Sequence, residues 1–257
     1  MFRPPGRTGV CPAPHHSRHN PNYSRAIITG VRAMVVVKLG IGGLLGAVAL
    51  LISPCASASD IAFGPNLEKA GWTVISFPGI APASFKAMGT SGLEISTDAA
   101  AGLLSRTLER SHWQVRKARW RWRVRQGVPA TDLTLRGADD RALGVYFVFG
   151  TAEDANKSPM SLLRAATVTA LVYVFGGDKP RGRILASPHM GERGKFIVLR
   201  PADAQKSAWL DEEVDLGADH VRAFGRPASQ LLAVIIMSDS DDTRTRNRAD
   251  IESLTLN

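Results

Sequence analysis

The chain has 257 residues, enough for one large or two small domains, and a formal net charge of +9. The excess is uneven: residues 1–58 hold six of the 32 basic residues and none of the 23 acidic ones, leaving 26 against 23 in the remainder. A body this close to balance gives no support to nucleic-acid binding, and no such partner is expected.

Residues 1–33 are rich in Pro, Arg, His and Asn without periodicity and read as a disordered extension, or as sequence upstream of a true start at Met34. Residues 34–58 have the form of a signal peptide: Lys38, an apolar run from Leu39 to Ile52, Pro54, and Ala56-Ser57-Ala58 before a cleavage point at Ser59. The run is short for a bilayer span, which needs roughly 20 residues. The expectation is therefore a periplasmic or secreted protein with no stable membrane span after processing. Pro54 before Cys55 does not suit lipoprotein processing. Both cysteines, Cys11 and Cys55, lie in this leader, so residues 59–257 have no disulfide and no thiolate ligand. They must be held by a core of their own, as one domain.

From Ser59 onward, short runs rich in Val, Ile, Tyr, Phe and Trp alternate with turn signals, as expected of strands. They are Trp72–Phe77, Gly92–Thr97, Arg119–Arg125, Gly144–Gly150, Thr169–Gly176, Lys195–Arg200, Gln230–Ser238 and Asp250–Leu256. Helical spacing is scarce. Asp98–Arg110 has a candidate Asp98 cap and a Leu103, Leu104, Leu108 stripe; Ser158–Thr167 and Asp215–Gly225 are the other candidates. The pattern predicts a mostly β fold, an antiparallel β-sandwich of jelly-roll type with one to three short helices.

The stretch "ARWRWRVR" (Ala118–Arg125) places Trp120, Trp122 and Val124 on one face of a strand and Arg119, Arg121, Arg123 and Arg125 on the other. Inward indoles would add a few kcal/mol each to the core; outward, they would form a stacking platform. The arginine row requires acidic partners or a polyanion. Asp139-Asp140 and the Asp239, Asp241, Asp242 cluster are candidate partners for Arg121 or Arg123, and these seven residues form the expected binding set. Alternatively, both clusters are solvated turns.

Five stretches in this order resemble one bacterial family, domain of unknown function 3047. They are Trp120–Val124, Gly137–Gly150, Tyr173–Gly177, Ser207–Gly225 and Ser238–Thr243, the last followed by the closing strand. The resemblance implies an exported, sandwich-like domain and brings no activity with it. In the family pattern an arginine opens the strand four residues after the double aspartate; here that place is Gly144, with Arg141 nearer the aspartates. The second acidic motif has Asp242 where the family carries an amide.

Catalytic signals are thin. His112, His189 and His220 lack metal-ligand spacing, and no nucleophile elbow or phosphate loop occurs. Ser187 and His189 are neighbours without an evident orienting acid. Asp239, Asp241, Thr243 and Asp250 fall at calcium-loop spacing, but Arg244 occupies the glycine position; only a looser cation site using Asp239 and Asp241 stays open. No cofactor is expected. The leading expectation is a non-catalytic module for a saccharide or an acidic envelope polymer. The alternatives are a glycan-cleaving enzyme using Asp139 or Asp140 with an acid from 239–242, and a structural or protein-interaction domain of the envelope.

Overall fold

The computed structural model describes residues 58–257. The expected extension, the signal segment up to residue 57 and both cysteines lie outside the described residues. Fourteen strands follow in chain order. The first seven are β1 (Ser59–Asp60), β2 (Trp72–Ile75), β3 (Ala81–Pro82), β4 (Ser84–Met88), β5 (Gly92–Asp98), β6 (Ala100–Thr107) and β7 (Lys117–Gln126). Then come β8 (Arg141–Gly150), β9 (Thr169–Phe175), β10 (Ile184–Ser187), β11 (Gly191–Arg200), β12 (Leu210–Asp215), β13 (Gln230–Asp239) and β14 (Arg246–Leu256). Two short α-helices, α1 (Pro159–Arg164) and α2 (Leu216–Phe224), and two 3-10 turns at Arg110–His112 and Asp154–Asn156 complete the set among the described residues.

The strands form two sheets, ordered β12-β7-β14-β5-β4 with β1 on β14, and β10-β11-β9-β8-β13-β6-β2 with β3 on β6. The expected sandwich is what forms. Pairing is antiparallel apart from β9 with β11 and β3 with β6. The first exception arises because β11 runs back between β9 and β10.

Sequence periodicity explains which faces are covered. β7 alternates, so only one face is buried: Trp120 and Trp122 are 1% and 0% exposed and pack edge-on at 5.5 Å. They meet Tyr173 of β9 and Phe175 across the layer, each 5.7 Å away. The indoles are core, and the stacking-platform alternative is excluded. By contrast β8, β9 and β13 are near-continuous apolar runs, the mark of strands buried on both faces. Val145, Phe147 and Phe149 face the six-stranded sheet. Tyr146 and Val148 face a second cluster that α1 covers through Leu162.

The helix expected at Asp98–Arg110 is instead β6, between β13 and β2. Ala and Leu favour a helix in isolation, but tertiary pairing outweighs propensity here. Gly102 shows why the segment is small: a Cβ there would meet the Ala83 Cβ at 2.9 Å. The chain crosses between sheets just before it, at Ala99 with φ of 46°. The other two helices form as expected. Asp215 caps α2 by accepting from the Ala218 N–H at 2.8 Å, and Gly225 ends it with φ of 69°.

Candidate functional site

β8 and β13 are antiparallel neighbours, with Arg141 opposite Asp239. The start of one and the end of the other therefore lie side by side, which brings both aspartate clusters together. Arg141, fully buried, is their hub. Its backbone N–H donates to Asp239 Oδ1 at 2.9 Å, and its Nη1 lies 3.3 Å from Asp239 Oδ2. Nη1 also donates to the Asp139 carbonyl at 2.6 Å and to its Oδ2 at 3.2 Å. Nη2 donates to Tyr146 Oη at 3.1 Å and to Met237 Sδ. The guanidinium lies 5.0 Å from the Phe196 ring centroid. Its Nε lies 3.5 Å from where a Cβ on Gly144 would be.

Each aspartate has a different task. Asp140 accepts from the Thr243 N–H and hydroxyl at 2.7 and 2.6 Å and from the Asp242 N–H at 3.4 Å, so it ties down the loop after β13. Asp139 accepts from His189 Nε2 at 3.2 Å. Burial opposes its charge, yet His189 and Arg141 hold its carboxyl below the usual range. Asp239 is the reverse: burial, with Asp140 and Asp139 adding repulsion, pushes it up to about 7 against the pull of Arg141. Asp241 and Asp242 are raised too, by burial and by the neighbouring carboxylates.

Asp139, Arg141, Asp239, Asp241 and Asp242 edge a cavity of about 470 Å³ on the outer face of the eight-stranded sheet. Leu103, Tyr146 and Met237 form its floor; Phe77, Met160 and Leu163 form walls. Ser187 at the end of β10, with His189 and Met190 of the turn to β11, closes another side. A second hollow of about 580 Å³ lies against β2 and β4, with Glu68 and Lys86 as the only charged residues lining it. An apolar cavity with converging polar groups and perturbed carboxyls is the stronger candidate site.

One oxygen each from Asp140, Asp239 and Asp241 lie within 4.8 Å of one another. This is a poor fit to a divalent cation, since both Asp140 oxygens accept from the loop and both Asp239 oxygens face Arg141. Asp250, placed by spacing at the end of a calcium loop, sits in β14 with other partners.

Those partners are the arginines of β7, and here the sequence expectation is corrected. Arg121 and Arg123 pair with neither aspartate cluster. Arg121 lies 3.0 Å from Asp211 and 3.1 Å from Glu252. Arg123 and Arg125 hold the fully buried Asp250 at 2.6 and 2.8 Å, and Arg125 also meets Glu94 at 2.6 Å. Arg119 meets Glu213 at 3.0 Å. All these acids come from strands of the same sheet, where opposed side chains are closest. The alternating acids of "LDEEVD" (Leu210–Asp215) were the available signal. The His189–Asp139 contact, 50 residues apart, was also missed, and it supplies the orienting acid that the local sequence lacks.

Fold and site define a two-sheet β-sandwich with one acid-edged cleft on its larger sheet. The chain belongs to the family described as Protein of unknown function (DUF3047), which matches residues 70–255. No curated protein matches it in sequence. Among solved structures it is similar to the xyloglucanase domain of NopAA, an effector from Sinorhizobium fredii, solved with cellobiose. That likeness has 10% identity and a TM-score of 0.39, over 78% of this chain and 98% of that one. It is also similar to the family 11 carbohydrate-binding module of a Clostridium thermocellum cellulase, at 11% identity and a TM-score of 0.34, over 72% and 86%. A β-1,2-glucanase from Parabacteroides distasonis follows at 12% and 0.37, over 77% of this chain and 25% of that one. Likenesses of this size carry no argument about a ligand. No helix among the described residues is long and apolar enough to cross a membrane.

Proposed function

We propose that this chain is an exported, non-catalytic β-sandwich module that takes a saccharide in the cleft above β8 and β13. The observation that carries the reading is the cavity itself. A floor of Leu103 and Met237 suits the C–H face of a sugar ring, while Asp139, Arg141 and His189 converge on one edge as hydrogen-bonding groups suited to hydroxyls. The leader at 34–58 supports export. The arginine face of β7 is neutralised by its own sheet, which removes the main support for an acidic polymer and favours a neutral or basic sugar. Titration calorimetry with neutral and basic oligosaccharides tests the reading. Binding should weaken about tenfold in His189→Ala, with a melting curve confirming that the variant remains folded. Failure of every oligosaccharide to bind refutes it.

One observation favours a second reading, glycan cleavage. Asp239, pushed up to about 7, and Asp139, held low, both border the cavity and share Arg141 Nη1, at 3.3 and 3.2 Å. Carboxyls driven apart in this way are the pattern of an acid and its partner. Release of new reducing ends, abolished by Asp239→Asn with the fold intact, would establish it; absence of release from any glycan that binds would exclude it.

A further inference from the structure

The saccharide reading can be taken one step further, to the charge of the ligand, and the inference rests on that reading. Four carboxylates border the cavity: Asp139, Asp239, Asp241 and Asp242. Asp139 and Asp239 are both engaged by Arg141, which is thereby neutralised within the wall. Asp241 and Asp242 are in no ion pair among the described residues. Asp241 is half-buried and Asp242 exposed, and each is raised by burial and by the repulsion of its acidic neighbours. Of the other basic side chains on the wall, His189 is held by Asp139, and Arg164 is exposed to solvent, where its charge is screened.

A second observation is independent of the acids. Arg141 bounds the same cavity, is fully buried, and its Nε–H has no acceptor among the described residues. A buried donor without a partner costs on the order of 1–3 kcal/mol, and a ligand oxygen entering the cavity would recover it. The two features ask for different groups on one ligand: an oxygen acceptor for Arg141 and a cation for Asp241 and Asp242.

We infer that the cleft selects a saccharide bearing a free ammonium group, an amino sugar whose amine is not acylated. The ammonium would sit between Asp241 and Asp242, desolvated on one side by Met237 of the cavity floor and by Ile80. A hydroxyl or ring oxygen would accept from Arg141. Acylation of the amine would remove both the charge and the fit.

Titration calorimetry on the full chain, at low ionic strength and at a pH where the amine is charged, tests this with four probes. They are a trimer of β-linked glucosamine, its fully N-acetylated counterpart, a glucose trimer with the same linkage, and spermidine. The glucosamine trimer should bind about tenfold more tightly than either other sugar, and the preference should shrink to about twofold in Asp241→Asn/Asp242→Asn. The double variant's melting curve would confirm that it is folded. Equal affinity for the three sugars overturns the inference and leaves the saccharide reading standing. Failure of all three sugars to bind overturns both. Spermidine binding as tightly as the amino sugar overturns the inference by showing that charge alone is selected. Persistence of the preference in the double variant overturns the assignment to Asp241 and Asp242.

Discussion

Replacing Asp239 by Asn should change how stability depends on pH more than it changes stability at acid pH. In the folded chain the Asp239 carboxyl is pushed from the ordinary 3.8 up to about 7 by burial and by Asp140 and Asp139. Between those values the folded state holds a proton that the unfolded state has lost. Stability therefore falls as pH rises: the contribution is complete below 3.8 and gone once pH has passed through about 7. Each tenfold in proton affinity is about 1.4 kcal/mol, so the rise amounts to about 4 kcal/mol across that window. Asn keeps the size of the side chain and an oxygen that can accept from the Arg141 N–H, but it does not titrate. Urea denaturation of both proteins at pH 5, 6, 7 and 8 isolates the effect. His220, whose lowered value works in the opposite direction, is common to both proteins and cancels in the difference. The variant should gain on the parent by a few kcal/mol between the extremes. A stability difference that stays constant from pH 5 to 8 would refute the assignment of a proton to Asp239.

Two further predictions concern the six-stranded sheet. Arg123→Met alone should cost about 1 kcal/mol, because Arg125 still holds Asp250; adding Arg125→Met should raise the loss to about 3–5 kcal/mol by leaving a buried carboxylate uncompensated. Denaturation of the single and double variants measures both steps, and simple additivity would contradict the shared-anion geometry. Trp122→Phe should cost about 1–2 kcal/mol more than Trp120→Phe, since Trp122 Nε1 donates to buried Glu212 at 3.1 Å while Trp120 Nε1 has no partner. Equal losses in thermal melts would show that indole packing alone decides.

The sequence reads best where one local signal decides the outcome. β8, β9 and β13 are legible because their apolar runs are too short for helices and too continuous for solvent-facing strands. Trp120 and Trp122 are legible because period two leaves one face free of charge. β6 is not legible: its Ala and Leu content speaks for a helix, and only the packing of Gly102 against Ala83 speaks against it. The same division runs through the site. Both aspartate clusters could be singled out by composition, but their meeting depends on β8 lying next to β13. Arg141, flanked by more conspicuous residues, becomes the hub only once that pairing exists. The expectation for Arg121 and Arg123 points to the wrong acids because the two aspartate clusters stand out by composition, whereas the true partners are opposed positions on β12 and β14.

Opposed charges on the outer face of the six-stranded sheet also say how this sequence is free to diverge. Arg119 faces Glu213, Arg121 faces Asp211 and Glu252, and Arg123 faces Asp250. The exposed members of these pairs do not depend on which partner carries which sign, so Arg119 and Glu213 can be exchanged with little loss. A shift of β12 by two residues would also keep acids opposite arginines and indoles inward. What forbids that shift is Glu212, on the inner side. Its carboxylate takes the Trp122 indole N–H at 3.1 Å, Arg200 at 2.6 Å and Arg181 at 3.1 Å. The exposed charges are therefore interchangeable in pairs, while buried Glu212, out of step with its neighbours, is the residue of β12 that cannot drift.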